Sequence, residues 1–273
     1  MVAILISSAL LLLEPPSVPS PAFFVAHRGE SADAPENTLA AFNLAWQRGV
    51  PAIELDVHLT ADDRLIVIHD ASTKRTTGVD LLVKESTLDQ LSSLDAGSWK
   101  GEPWAGEPLP TLEDVLATIP DGGLCLIEVK VGPEAVPALV RAVEASGKSP
   151  DQLAVISFNA ETLAEAKRQL PDLPMYFLSG FRRDEQTGAW TPSPQALIDQ
   201  AIAINADGLD LAYRGPIDAD FVQRVRDAGL SVHVWTVDDP DDARRFLDLR
   251  VDSITTNRAA WLREQLTPTD QPR

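Results

Sequence analysis

One cysteine in 273 residues excludes an internal disulfide and a thiolate zinc cluster, since each needs at least a second sulfur. Cys125 sits in the apolar run Leu124-Cys125-Leu126-Ile127, where a lone thiol behaves as a small buried hydrophobe rather than a nucleophile. Basic residues are scarce too: 23 Lys and Arg against 41 Asp and Glu leave a formal charge of −18. Binding a nucleic-acid backbone takes clustered cations, so nucleic acid is excluded as the main partner. A small phosphate compound is not, because a metal ion and two local cations can reverse the field inside one cleft. No apolar run reaches the roughly 20 residues a spanning helix requires, so no stable membrane span is expected.

The apolar stretch Val2–Leu13, broken only by Ser7 and Ser8, is followed by a Pro/Ser-rich linker from Pro15 to Pro21. Its length suits the h-region of a secretory signal. Residues 1–21 therefore read as a signal-like segment, which points to a periplasmic or secreted protein. A cytoplasmic protein is the alternative, since no Lys or Arg precedes the segment and both Ser20-Pro21 and Ala22-Phe23 are poor cleavage sites.

What the chain has in quantity is apolar material, 44% of its residues, in a regular alternation. Short apolar runs at Phe23–Ala26, Ala52–Val57, Leu124–Val129, Ala154–Ser157, Met175–Leu178, Gly208–Leu211, Ser231–Trp235 and Ser253–Thr255 read as strands. Between them lie amphipathic segments, among them Thr38–Arg48, Glu134–Ala145, Ala160–Leu170, Pro194–Ile204, Ala219–Ala228 and Pro240–Leu249. Thr111, Asp218 and Asp239 stand where N-caps belong. Eight strand–helix units close most naturally into a (β/α)8 TIM barrel spanning residues 22–266, with a short tail at 267–273. The rival is a doubly wound open sheet, which would carry a glycine-rich phosphate loop after its first strand; His27-Arg28-Gly29-Glu30 is not one.

Two departures from the alternation matter. Leu65–His69 follows the second strand after only Thr60-Ala61-Asp62-Asp63-Arg64, too short a link for a parallel crossover, so the two runs form a hairpin. With Thr60 facing Leu65, counting back places His69 opposite Asp56. The second departure is the segment 72–110, with Trp99 and Trp104 among Gly and Pro. It is too long for an ordinary loop and reads as a small lobe inserted over the barrel mouth.

Barrel chemistry gathers at the carboxyl ends of strands. His27 and Arg28 follow the first strand; Glu54 and Asp56 on the second, and Glu128 and Lys130 on the third, share a facing by the two-residue strand period. Three carboxylates in one cleft repel unless a cation lies between them or their protons return. Oxygen donors suit one hard divalent ion, Mg²⁺ or Ca²⁺, better than zinc. The competing reading pairs Glu54 and Glu128 with Arg28 and Lys130 as buried salt bridges. Of the four histidines, His27 and His69 reach the same mouth by independent routes, and together they can supply a general base and a general acid to a phosphodiester. Arg28 offers a planar fork to phosphate oxygens and Lys130 a point charge. His58, further up the hairpin, reads as structural, and His233, within the seventh strand, could pack anywhere.

His27-Arg28-Gly29, Pro35-Glu36-Asn37-Thr38, Glu54-Leu55-Asp56-Val57-His58-Leu59-Thr60, Ile68-His69-Asp70 and Arg75-Thr76-Thr77 resemble motifs of the glycerophosphodiester phosphodiesterases. So do Gly106-Glu107-Pro108-Leu109-Pro110-Thr111-Leu112-Glu113, Ile127-Glu128-Val129-Lys130 and Val234-Trp235-Thr236-Val237. They run in family order from about residue 24 to 264. The resemblance implies hydrolysis of a small glycerophosphodiester to sn-glycerol 3-phosphate and an alcohol, on a TIM barrel with an inserted region. It implies Glu54, Asp56 and Glu128 as metal ligands, His27 and His69 as the acid–base pair, and Arg28 and Lys130 as phosphate contacts. Glu36 falls on an acidic position near the site, supporting Arg28 or the metal, and Trp235 on a tryptophan that walls the glycerol pocket. It also implies a route in which the substrate's own glycerol hydroxyl attacks first and water then opens the cyclic phosphate. The last strand ends Thr256-Asn257-Arg258-Ala259, where an acidic residue and a proline are more usual, a departure expected to touch a helix start and not the chemistry. Alternatives within the resemblance are a lysophospholipase D or another phospholipase-type diesterase. Outside it stand a catalytically silent binding barrel and a phosphatase of monoesters.

Overall fold

A computed structural model describes residues 23–266. The signal-like segment 1–21 and the tail 267–273 lie outside the described residues. Eight parallel strands close a barrel: β1 (Phe23–His27), β2 (Ala52–Leu59), β4 (Leu124–Val129), β5 (Leu153–Ser157), β6 (Met175–Ser179), β9 (Gly208–Ala212), β10 (Ser231–Trp235) and β11 (Ser253–Thr256). Closure comes from β1, which pairs with β11 on one side and β2 on the other. Seven helices of the outer ring are α1 (Leu39–Gln47), α4 (Leu112–Thr118), α5 (Val136–Ser146), α6 (Ala160–Gln169), α7 (Pro194–Ala203), α8 (Ala219–Asp227) and α9 (Pro240–Asp248). An eighth, α10 (Ala259–Leu266), follows the last strand.

The local chemistry of the helix starts agrees with this order. Thr38, Asn159, Ser193, Asp218 and Asp239 each accept a backbone N–H of the first turn, and Thr111 and Asp114 form a reciprocal capping box. Such caps satisfy donors that the helix itself cannot. The two-residue period of the strands then sorts side chains between two cores. In β2, Ile53, Leu55 and Val57 pack outward against the helices, in β4 Cys125, Ile127 and Val129 do, and Phe42, Phe221 and Phe246 fill the same layer. Ala52 and Leu126 face inward and pack with Val25, Ala154, Ile156 and Leu178. Glu54 and Asp56 stand above Ala52 on that inner face, and Glu128 above Leu126. No described helix is long and apolar enough to cross a membrane.

β2 continues into a hairpin with β3 (Leu65–Val67), but the register is one residue away from the expected one. Leu59 faces Leu65, His58 faces Ile66 and Val57 faces Val67, and the Ile68 amide donates to the Asp56 carbonyl. Ile68, not His69, is therefore opposite Asp56. Thr60 and Arg64 close the turn themselves, by Thr60 N–H to Arg64 O at 2.9 Å and Arg64 N–H to Thr60 Oγ1 at 3.0 Å. Asp63 takes the left-handed conformation with φ 57°, leaving a three-residue loop of the common hairpin kind. The slip assigns β3's two faces to different cores. Leu65 and Val67 join the barrel core, while Ile66 and Ile68 join Val83, Leu91, Ala96 and Leu109 in a separate cluster.

That second cluster belongs to the segment 72–110, which holds α2 (Lys74–Thr77) and α3 (Leu88–Ser92) between irregular turns. Gly97 is required there, since a Cβ at that position would lie 1.8 Å from the Trp104 carbonyl oxygen. A short ribbon, β7 (Arg182–Arg183) with β8 (Trp190–Thr191), extends the link after β6. Nothing in the hydrophobic pattern signals it, because two-residue strands carry no periodicity.

Candidate active site

The turn after β1 is built by two consecutive left-handed residues, Arg28 (φ 55°) and Gly29 (φ 80°). A Cβ on Gly29 would lie 2.6 Å from the Ala41 backbone, so only glycine lets α1 pack this close. The turn aims the Arg28 amide at Glu54, donating to Oε2 at 3.0 Å. The Arg28 guanidinium reaches Glu36 Oε1 at 2.9 Å and Asp56 Oδ2 at 3.2 Å. Glu36 thus serves Arg28 rather than the carboxylate cluster. It is shared with Arg75 of α2, whose two terminal nitrogens lie 2.9 and 2.8 Å from its oxygens.

Glu54, Asp56 and Glu128 come together as expected. One ligand oxygen from each lies within 4.8 Å of the others, and all three are buried. Lys130 Nζ stands 2.7 Å from Glu128 Oε1 and 3.3 Å from Asp56 Oδ1, near enough to pair by charge but poorly aligned, so that both oxygens lack a hydrogen-bond partner among the described residues. Asn37 supplies what Asp56 does receive, its Nδ2 donating to Oδ2 at 2.8 Å. The pure salt-bridge reading accounts for Asp56, on which both cations converge, and leaves Glu54 and Glu128 without sufficient positive charge.

The protonation of the cluster follows. Burial works against charge on Asp56, yet Arg28 and Lys130 bring it down to about 2. Burial and the charge of Asp56 push Glu128 up to about 7 and Glu54 well above the usual carboxylate range. Hydrogen-bond-starved, repelling carboxylate oxygens at one point fit a hard divalent cation.

The two histidines lie in one cavity of about 250 Å³ together with Arg28, Glu54, Glu128 and Lys130. Their ring environments differ. His27 Nδ1 is 2.7 Å from Asn257 Oδ1, and Asn257 Nδ2 donates to Asp238 Oδ2 at 2.7 Å. The Asp238 carboxylate can only accept, which fixes the amide with its oxygen toward His27 and makes Nδ1 the protonated nitrogen. His27 Nε2 is therefore a free lone pair, 4.0 Å from Glu54 Oε2. Burial, reinforced by the Arg28 charge, lowers the ring to about 4. His69 Nδ1 instead meets a carboxylate, Asp70 Oδ1, at 2.7 Å. Asp70 is held ionised by Arg75, whose Nε lies 2.6 Å from Oδ2, and sits near 2.

Asn257 overturns the expectation that the end of the last strand leaves the chemistry alone, because it touches His27 directly. A single residue past a strand end has no pattern of its own; only barrel closure brings β11 beside β1. The other two histidines lie against backbone or hydroxyl partners. His58 Nε2 lies 3.0 Å from the His69 carbonyl oxygen. Buried His233 is wedged between Ser231 and Ser253 hydroxyls at 2.8 and 2.7 Å. Trp235 lines the cavity, its Nε1 donating to the Asp210 carbonyl at 3.2 Å, with Phe158 edge-on at 5.7 Å between ring centres. Asp70 and Arg75 lie inside recognised motifs, but sequence reasoning gave them no task. Asp238 and Asp210 carried no signal at all.

Residues 27–260 match the model of the Glycerophosphoryl diester phosphodiesterase family. A glycerophosphodiester phosphodiesterase of Caldanaerobacter subterraneus subsp. tengcongensis is 35% identical over 238 residues, covering 85% of this chain and 93% of that protein. Another, from Bacillus subtilis, is 33% identical over 250 residues, covering 85% and 82%. Among solved structures, an Oleispira antarctica phosphodiesterase determined with the product sn-glycerol-3-phosphate superposes with a TM-score of 0.82 at 28% identity, covering 90% of this chain and 97% of that one.

Proposed function

Because the chain belongs to the glycerophosphoryl diester phosphodiesterase family and is a glycerophosphodiester phosphodiesterase, we propose that it hydrolyses glycerophosphodiesters to sn-glycerol 3-phosphate and an alcohol by metal-assisted chemistry, with His27 as general base and His69 as general acid. The observation that carries this reading is the asymmetry of the two rings across the carboxylate cluster. His27, neutral and with Nε2 unprotonated, is ready to take a proton. His69, backed by a carboxylate, can hold the positive charge of an imidazolium until it gives its Nε2 proton away.

Glu54, Asp56 and Glu128 would hold the cation, Mg²⁺ or Ca²⁺. When bound, it supplies Lewis-acid stabilisation of charge on the phosphoryl oxygens. Arg28 and Lys130 bind the remaining phosphate oxygens, Arg28 being kept in place by Glu36 and Asp56. In the first step His27 accepts the proton of the substrate's own glycerol hydroxyl as its oxygen bonds to phosphorus. The bond from phosphorus to the leaving oxygen breaks as His69 delivers its proton there. Water then opens the cyclic phosphate with the two roles exchanged, restoring both rings. Trp235 walls the cavity on the glycerol side.

Release of glycerol 3-phosphate from glycerophosphocholine, followed by a coupled assay with and without EDTA, tests the reading. Turnover should require the cation and should fall by about 10²- to 10⁴-fold in His69→Ala, the usual contribution of a positioned acid. Indifference to chelator, or full activity in the variant, would sink the mechanism. Inorganic phosphate released from glycerol 3-phosphate would point instead to a monoesterase. Water-derived oxygen entering the product in a single step, with no cyclic phosphate trapped, would remove the internal-attack route alone.

A further inference from the structure

The mouth chemistry leaves two buried polar groups of the same cavity unused. Asp210 of β9 and Thr255 of β11 are 1% and 2% exposed, and Asp210 Oδ1 and Thr255 Oγ1 have no hydrogen-bond partner among the described residues. Buried polar atoms are nearly always paired, so two orphans facing one cavity call for a partner inside it. Neither belongs to the cation cluster, which comprises Glu54, Asp56 and Glu128. Strand register places both on a lower level. Thr255 lies beside Val25, two residues below His27, and Asp210 lies beside His233, two residues below Trp235. Leu178 stands beside Asp210, and with Ile156 and Trp235 it supplies the apolar part of the cavity wall.

We propose that Asp210 and Thr255 form the floor that recognises the glycerol arm, binding its hydroxyl farthest from the phosphate. This rests on the diesterase reading of the mouth above. A three-carbon polyol fits the sequence of surfaces met on descending. The phosphate stays with Arg28 and Lys130, the carbon chain runs along Trp235 and Leu178, and the terminal hydroxyl meets the two orphans. Thr255 Oγ1 can donate or accept and the Asp210 carboxylate can accept, so the pair complements a hydroxyl in both directions. A site built around such a hydroxyl discriminates strongly against a ligand lacking it, because its own polar groups are then stranded.

The test is calorimetric titration of the cation-supplemented protein with sn-glycerol 3-phosphate and with propane-1,2-diol 1-phosphate, which lacks only the terminal hydroxyl. Wild type should bind the first about 10- to 100-fold more tightly. Asp210→Ala should bring that ratio close to one while holding the diol phosphate nearly as wild type does; Thr255→Val should lower it about 3- to 10-fold. Equal binding of the two ligands by wild type, or a wild-type ratio in either variant that still binds the diol phosphate, overturns the proposal. If Asp210→Ala binds neither ligand, Thr255→Val decides alone: a reduced ratio supports the floor and an unchanged ratio removes it. Hydrolysis of glycerophosphocholine by wild type is scored separately, so failure of the diesterase reading is distinguishable from failure of this one.

Discussion

A cation entering the cluster has to displace protons, and the pH dependence of its affinity can be worked out beforehand. Glu128 is raised from 4.5 to about 7 by burial and by Asp56. At about 1.4 kcal/mol per pH unit, that is a penalty of about 3 kcal/mol on its ionised form in the metal-free protein. The sign follows from the direction. A carboxyl whose folded pKa lies above its unfolded value contributes stability that is complete below pH 4.5 and is lost as pH rises through about 7. Glu54, shifted the same way by the same neighbours, adds in the same sense. A divalent cation takes the place of those protons, so its stabilisation should grow from pH 5 to pH 8 and then level off. His27 does not titrate in this window, being lowered to about 4, and Asp56 stays ionised throughout.

Between pH 5.5 and 7 the association constant for Mg²⁺ or Ca²⁺ should therefore climb about tenfold per pH unit for each proton displaced. Calorimetry of the EDTA-stripped protein in buffers of different ionisation enthalpy reads the proton count directly. It should give at least one proton released at pH 6 and fewer at pH 8. Glu128→Gln should weaken binding and flatten the slope, since its proton no longer competes. An affinity that is the same at pH 5.5 and 7.5, with no protons released, would show that the cation binds elsewhere or that the cluster is already ionised.

Other consequences are testable with simpler measurements. Asn257→Leu removes the acceptor that fixes the His27 tautomer, so kcat should drop about 10- to 100-fold while KM moves little; an unchanged kcat would free His27 from this partner. Arg75→Met strips Asp70 and Glu36 of their shared guanidinium. It should slow substrates with poorly leaving alkyl alcohols more than a p-nitrophenyl ester, whose leaving group departs without a proton; equal losses on both would mean a purely structural role. Phe42→Ala, at a fully buried position between β-barrel and helix ring, should cost about 3–5 kcal/mol in chemical denaturation; a loss under about 1 kcal/mol would contradict the packing described.

The barrel was legible because its signals are local and repeated. Each barrel strand is a short apolar run, and caps such as Thr111 and Asp218 mark helix starts within one or two positions. The hairpin register was not, for a physical reason. The difference between facing Thr60 with Leu65 and facing it with Arg64 is one turn residue, Asp63, in the left-handed conformation. Composition does not dictate that choice, and a one-residue slip exchanges the faces of the whole strand.

The same distinction runs through the site. Residues whose chemistry is rare in a barrel interior announce themselves: Glu54, Asp56 and Glu128 are acidic where neighbours of the same facing are Ala52 and Leu126. The histidines were equally visible, but their difference was not, because it lies in what stands behind each ring. Asp70 follows His69 in the chain and Arg75 is five residues on from it, so half of that dyad could have been suspected from spacing. Asn257, and Asp238 behind it, are separated from His27 by more than two hundred residues, and Asn257 meets the ring only because β1 pairs with β11. On the proposed roles, closing the barrel is therefore part of the chemistry. A fold that brought the same acids and histidines together on an open sheet would leave His27 without its fixed tautomer, and the two imidazoles would have no structural reason to take opposite roles.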